Sequence, residues 1–190
     1  MKFEIPTAMK AEHDELHEAL VHATKAAGQT GEAAKAVAKV LHAHFVKEEE
    51  YALPPLGLLT ALARGEFEPG MADVLAMTDK LAAELPQMLA EHKQIVAALE
   101  KLVAVAKAEQ HPDIVYFAEK LMMHALAEEK VANPTALLIG RYVKARLAAS
   151  RIARRLPHTR RQGGGECRQR DDADRDRNVR QMTADMPKAR

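Results

Sequence analysis

The apolar residues of this 190-residue chain recur every three or four positions rather than every second one. That spacing gathers them on one face of a helix and argues against strands. It predicts four long helices. The first covers roughly residues 7–27 and stops at Gly28 and Gly31. The second covers roughly 32–51 and is broken or kinked at Pro54-Pro55, because proline lacks an N–H and collides with the preceding turn. A short helix, GLLTALAR, and the loop GEFEPG follow. The third covers roughly 71–108, with a bend at Pro86. The fourth begins near Pro112, a residue suited to the first helical position, and ends near Asn133-Pro134. A last short helix, roughly 135–149, closes the unit. Long helices with short joints predict an all-α fold, an up-down-up-down four-helix bundle over residues 1–150.

Composition agrees with this pattern. Hydrophobic residues make up 47% of the chain, enough for a real core, while aromatics are 4% and Trp is absent. Ala, Leu, Glu and Lys dominate, which favours helix. The net charge of +1 conceals a division. Residues 1–150 hold 16 Lys+Arg against 21 Asp+Glu, a balance of −5; residues 151–190 hold 12 against 6, a balance of +6. Eleven of the last twelve cations are Arg. The stretch RRLPHTRRQGGGECRQRDDADRDRNVRQ has almost no apolar residues to bury, so residues 151–190 are expected to form a disordered, Arg-rich basic tail.

The single cysteine, Cys167, excludes an intramolecular disulfide and fits a reducing, cytoplasmic setting. The N-terminus MKFEIPTAMK has no apolar core of a signal peptide. No apolar run approaches the ~20 residues of a membrane span. The core is therefore expected to meet neither membrane nor nucleic acid.

The informative feature is a repeat. HFVKEEEYALPP (44–55) and HALAEEKVANPT (124–135) share a histidine, a glutamate pair starting four residues on, and a proline at the tenth. Further back, KAEHDELHEAL (10–20) aligns with LAEHKQIVAAL (89–99). The chain thus reads as two helical hairpins, each with a His on its first helix and His-x-x-x-Glu on its second. Residues four apart lie about 40° apart on a helix, so they share a face. His44 points with Glu48, and His124 with Glu128. Two hairpins related by a pseudo-twofold would aim both pairs, with His13 and His92, at one centre. Converging imidazoles and carboxylates suit a first-row metal.

One position breaks the symmetry. Four residues after His13 stands His17; four after His92 stands Val96. The candidate ligands become His13, His17, His44, His92, His124, Glu48 and Glu128. Seven ligands shared by two metals, bridged by carboxylates and oxide, leave one metal with an open position. Val96 would wall it with an apolar side chain, which suits a small molecule such as O2. A nitrogen and oxygen donor set with no core Cys favours iron or manganese over structural zinc.

With these motifs in place, residues 7–145 resemble the hemerythrin-like proteins, also called HHE cation-binding domains. That resemblance implies a four-helix bundle holding two non-haem irons through histidines and bridging carboxylates. It carries ligand roles onto His13, His44, Glu48, His92, His124 and Glu128. Hemerythrins proper have a second His on helix three, where this chain has Val96 and carries His17 on helix one instead.

Other polar repeats have plainer readings. Glu49 and Glu129 lie about 140° from the neighbouring His face, which suits a supporting or surface role. Glu12 and Glu91 could orient an imidazole. His22 and His42 point away from the ligand face, and His111 precedes Pro112 in a joint. Leu16, Phe45, Ile95, Met122 and Met123 are expected in the core.

The expected function is a di-iron protein that binds or reacts with O2, peroxide or NO, including peroxide decomposition. The alternative is iron sensing, storage or repair at the same site. A ferritin-like oxidase would need Glu-x-x-His on each of two helices, and no Glu-x-x-His occurs in the chain.

Overall fold

The structure is a computed structural model that describes residues 3–155, with side chains through Ile152. The described residues are helical or in short joints, with no strand among them. Helix α1 is Thr7–Ala23 and α2 is Gly28–Lys47. A π-helical turn, Glu48–Ala52, and a 3-10 turn, Pro54–Leu58, lead into the short α3, Leu59–Ala63. A second 3-10 turn, Pro69–Asp73, opens α4, Val74–Ala108. Helix α5 is Pro112–Ala127, a second π-helical turn covers Glu128–Ala132, and α6 is Asn133–Arg155.

Each long helix buries the stripe that its sequence pattern marks. On α1 the buried residues are His13, Leu16, Leu20 and Ala23. Helix α2 begins at Gly28, four residues before the expected start. Its opening is capped from a distance, since Glu109, at the end of α4, accepts hydrogen bonds from the backbone N–H of Gln29 and Thr30, both at 2.9 Å, and from the Thr30 hydroxyl. Gly28 itself takes φ +73, a region costly for other residues. Helix α4 runs unbroken through Pro86, whose side of the helix faces solvent.

Helices α1, α2, α4 and α5 pack in a ring, α1 on α2, α2 on α4, α4 on α5 and α5 on α1. Their apolar residues form one core, with Leu20, Val37, Leu41, Leu99, Leu102 and Phe117 at its heart. A second core contains Tyr51, Leu56, Met71, Leu81, Met88 and Ile139. It is built by α4, both π turns, the 3-10 turns and α6. Helix α6 is therefore not a short closing helix. It has 23 residues and packs on α4, the second π turn and both 3-10 turns. It comes so close to α4 that a Cβ on Gly140 would collide with Thr78.

Helix α6 also continues through Arg155, past residue 150, where the sequence suggested the domain ends. The expectation of a disordered tail falls otherwise on residues 156–190, outside the described residues. No described helix is long and apolar enough to cross a membrane.

Candidate metal centre

Between the two apolar cores lies a polar layer. On α1 it is His13, just before Leu16. On α2 and its π turn it is His44 and Glu48, on α4 His92, and on α5 and its π turn His124 and Glu128. All six side chains are buried, none more than 5% exposed.

The two glutamates stand where helical geometry changes. Proline cannot donate to the carbonyl four residues back, and its ring crowds that carbonyl. At Pro54 the helix gives way, as expected, to a bend at Leu53 and a 3-10 turn, whereas at Pro134 it runs on directly into α6, but the turn before each proline behaves alike. It widens, and the residue before each proline, Leu53 or Asn133, donates to the carbonyl five back, Glu48 or Glu128. The proline ten residues after each histidine thus marks the same local device in both halves. Such π turns occur frequently at functional sites.

The four histidines form two pairs. His44 and His92 sit edge-on, ring centroids 4.4 Å apart. His13 and His124 do likewise at 4.9 Å, with their Nε2 atoms 3.1 Å apart. Each glutamate spans both pairs. Glu48 Oε1 lies 2.7 Å from His44 Nε2 and 3.5 Å from His92 Nε2, and its Oε2 lies 3.9 Å from His13 Nε2. Glu128 Oε1 lies 3.2 Å from His124 Nε2 and 3.4 Å from His13 Nε2, and its Oε2 lies 3.6 Å from His92 Nε2. Two donor groups result, His44–Glu48–His92–Glu128 and His13–His124–Glu128, each with its donor atoms within 4.8 Å of one another. Either could hold a metal ion, and Glu128 belongs to both.

The donor atoms are poorly satisfied by each other. His44 Nε2, His92 Nε2 and both carboxylate oxygens of Glu48 have no hydrogen-bond partner, although all are buried. His44 Nε2 is 2.7 Å from Glu48 Oε1 but is not aligned to donate to it. A buried polar atom without a partner costs about 1–3 kcal/mol. An arrangement of several such atoms, convergent and unaligned, fits a shared cation better than a hydrogen-bond network. The residues present therefore fit a metal.

The outer nitrogens of the imidazoles each face a carboxylate, hydrogen-bonded at His44 and His92 and looser at His124 and His13. His44 Nδ1 is 2.9 Å from Glu91 Oε2, and His92 Nδ1 is 3.3 Å from Glu129 Oε1. His124 Nδ1 faces Glu12 and His13 Nδ1 faces Glu49, both at 3.5 Å. These are the four carboxylates that the repeat duplicates beside its histidines. A carboxylate at Nδ1 fixes the tautomer that leaves Nε2 free to bind a metal. Lys47, 2.6 Å from Glu91, strengthens one of these supports. Nothing in the repeat announces Lys47, because its counterpart 80 residues on is Ala127.

Electrostatics follow from this crowding. Burial works against charge on His92, but Glu128 and Glu48 beside it outweigh burial and lift its pKa to about 10. His44 and His124 are also raised; burial again opposes, and Glu48 and Glu128 respectively prevail. Burial would raise Glu128, yet His124, His13 and His92 hold it well below the usual carboxylate range. Burial also works against charge on Glu91, yet His44, Lys47 and Gln87 bring it down to about 2.

His17 is not brought to the centre. It is exposed, at the rim of a surface hollow with Lys10, Asp14 and His42. Four residues advance about 6 Å along the helix axis, and at that level Phe45 stacks on His13 at 4.4 Å and fills the interior. Among the described residues the donor set is four histidines and two glutamates. His22 and His42 are exposed as expected, His111 sits at the α5 start, and Met123 is exposed rather than in the core.

A cavity of about 340 Å³ reaches His124 and Glu128, lined by Met9, Leu56, Leu59, Val131 and Ala132, and Val96 is not part of its wall. No family model, curated protein or solved structure matches the chain at a significant level.

Proposed function

We propose that this chain is a hemerythrin-like protein, an up-down-up-down four-helix bundle whose centre holds two irons and binds or reacts with O2, peroxide or NO. The observation that carries the reading is the shared glutamate. Two donor groups meet at Glu128, and the two oxygens of Glu48 likewise face different histidine pairs. His44 and His92 would hold one iron, and His13 and His124 the other, with Glu48 and Glu128 common to both. The ring of α1, α2, α4 and α5 supports the bundle topology.

Six ionisable side chains in a core are costly to keep there for stability alone, which favours a working site. Iron bound there would supply electron exchange with the small molecule. The chain's own residues do the rest. Phe45 and the apolar core beneath it keep bulk water from His13. Glu91, Glu129 and Glu12 hold His44, His92 and His124 by Nδ1. With no metal bound, His92, its pKa lifted to about 10, carries a proton; a metal entering the centre displaces it.

The experiment is anaerobic loading with iron(II), followed by metal analysis. Saturation near two equivalents per chain is expected, with His44→Ala and His124→Ala each losing about one. Saturation at one equivalent, or tight retention of zinc in place of iron, would overturn the reading.

A further inference from the structure

The two halves of the repeat are not equally filled. In the first half, Lys47 and Tyr51, next along the chain from His44 and Glu48, are tied to α4. The Lys47 ammonium pairs with Glu91, and the Tyr51 hydroxyl donates to Glu84 at 2.8 Å and also lies 3.7 Å from the sulfur of the fully buried Met88. In the second half the aligned residues, 80 positions on, are Ala127 and Val131. Both are smaller, and neither can form the ion pair or the hydrogen bond. The space is left open as the cavity of about 340 Å³ beside His124 and Glu128. Met9, which corresponds to Met88, is only half-buried there.

The cavity is much larger than O2 or peroxide requires. At ~30 Å³ per water-sized group, its volume corresponds to about eleven such groups, within the range of small-molecule sites. Its wall is aliphatic, with Leu56, Leu59 and Val131, and its floor is the buried His124–Glu128 pair. No Lys or Arg lines it, while Glu12 does, so its wall offers an anionic head group no lysine or arginine partner.

We propose that the cavity formed where Ala127 and Val131 replace Lys47 and Tyr51 binds an uncharged aliphatic molecule of about ten heavy atoms, its polar end toward His124 and Glu128. This deepens the metal-centre reading and rests on it for the role of the polar end. The apolar wall itself exists without metal.

The probe is 1-octanol, titrated by calorimetry and protein NMR into the metal-free and the iron-loaded full-length protein. Saturable one-to-one binding is expected, with resonances shifting around Val131 and Leu59. The decisive variant copies the closed half into the open one, Ala127→Lys with Val131→Tyr. Val131 is 63% exposed, and the pair already packs in the other half, so the fold has room for both. Octanol affinity should fall at least tenfold while metal content stays at the parent value. Absence of saturable binding, unchanged affinity in the double variant, or tighter binding of octanoate than of octanol would each overturn the proposal. Metal analysis of the same samples separates the two readings, because loss of the cavity inference leaves two irons in place.

Discussion

Glu91 and Glu12 are equivalent in the repeat and unequal in the structure, and that inequality yields a graded prediction. Glu91 lies 2.9 Å from His44 Nδ1, is 20% exposed, and is itself held by Lys47 at 2.6 Å. Glu12 lies 3.5 Å from His124 Nδ1, is 41% exposed, and has Ala127 where Lys47 would stand. Removing a carboxylate that supports a metal-bound histidine costs about 10–100-fold in metal affinity. Glutamine keeps the shape and an acceptor oxygen, so Glu91→Gln should fall near the lower bound, about tenfold or 1.4 kcal/mol. The looser, wetter contact of Glu12 should make Glu12→Gln cost about two- to threefold, because exposed charge interactions are screened by water. The two effects should also separate by site. Glu91→Gln should weaken the equivalent held by His44 and His92, and Glu12→Gln the one held by His124 and His13. The assay is stepwise removal of iron(II) by a competing chelator under anaerobic conditions, with the parent giving two resolved steps. If Glu12→Gln costs as much as Glu91→Gln, or if both variants weaken both steps alike, the supporting contacts do not act as the distances imply.

Protons and metal should compete for the centre. His92, with its pKa lifted to about 10, must lose a proton to bind metal, so apparent affinity should rise between pH 6 and pH 9, with proton release measurable in weak buffer. In the metal-free protein the sign reverses. The raised pKa of His92 stabilises the fold fully below about 6.5 and is lost as pH climbs through about 10. The melting temperature of the metal-free protein should therefore fall over that window; a rise would refute the assignment of the proton. His17→Ala should leave iron content and the azide absorption band of the oxidised protein unchanged, since His17 is exposed beside the centre; loss of one equivalent would restore it as a ligand.

Much of this molecule is local in origin. A 3.6-residue period needs only neighbouring side chains, so the helices of the ring could be read directly. The six convergent residues were legible too, because i,i+4 spacing fixes a shared face and an 80-residue repeat fixes a shared destination. The remainder depended on distances between helices. His17 differs from His13 by only about 40° of azimuth, and only the packing of Phe45 on His13 excludes it. Pro54 and Pro134 showed where α-helical bonding must fail, but not that the turn before each would widen, nor that the first would then bend at Leu53 while the second runs on into α6. A sequence pattern that fades after Ala149 underestimated the length of α6. The aligned repeat already displayed Lys47 and Tyr51 against Ala127 and Val131. That these substitutions open one side of the centre was decided by tertiary structure, because a side chain's size becomes a cavity only where no other element moves in to fill it.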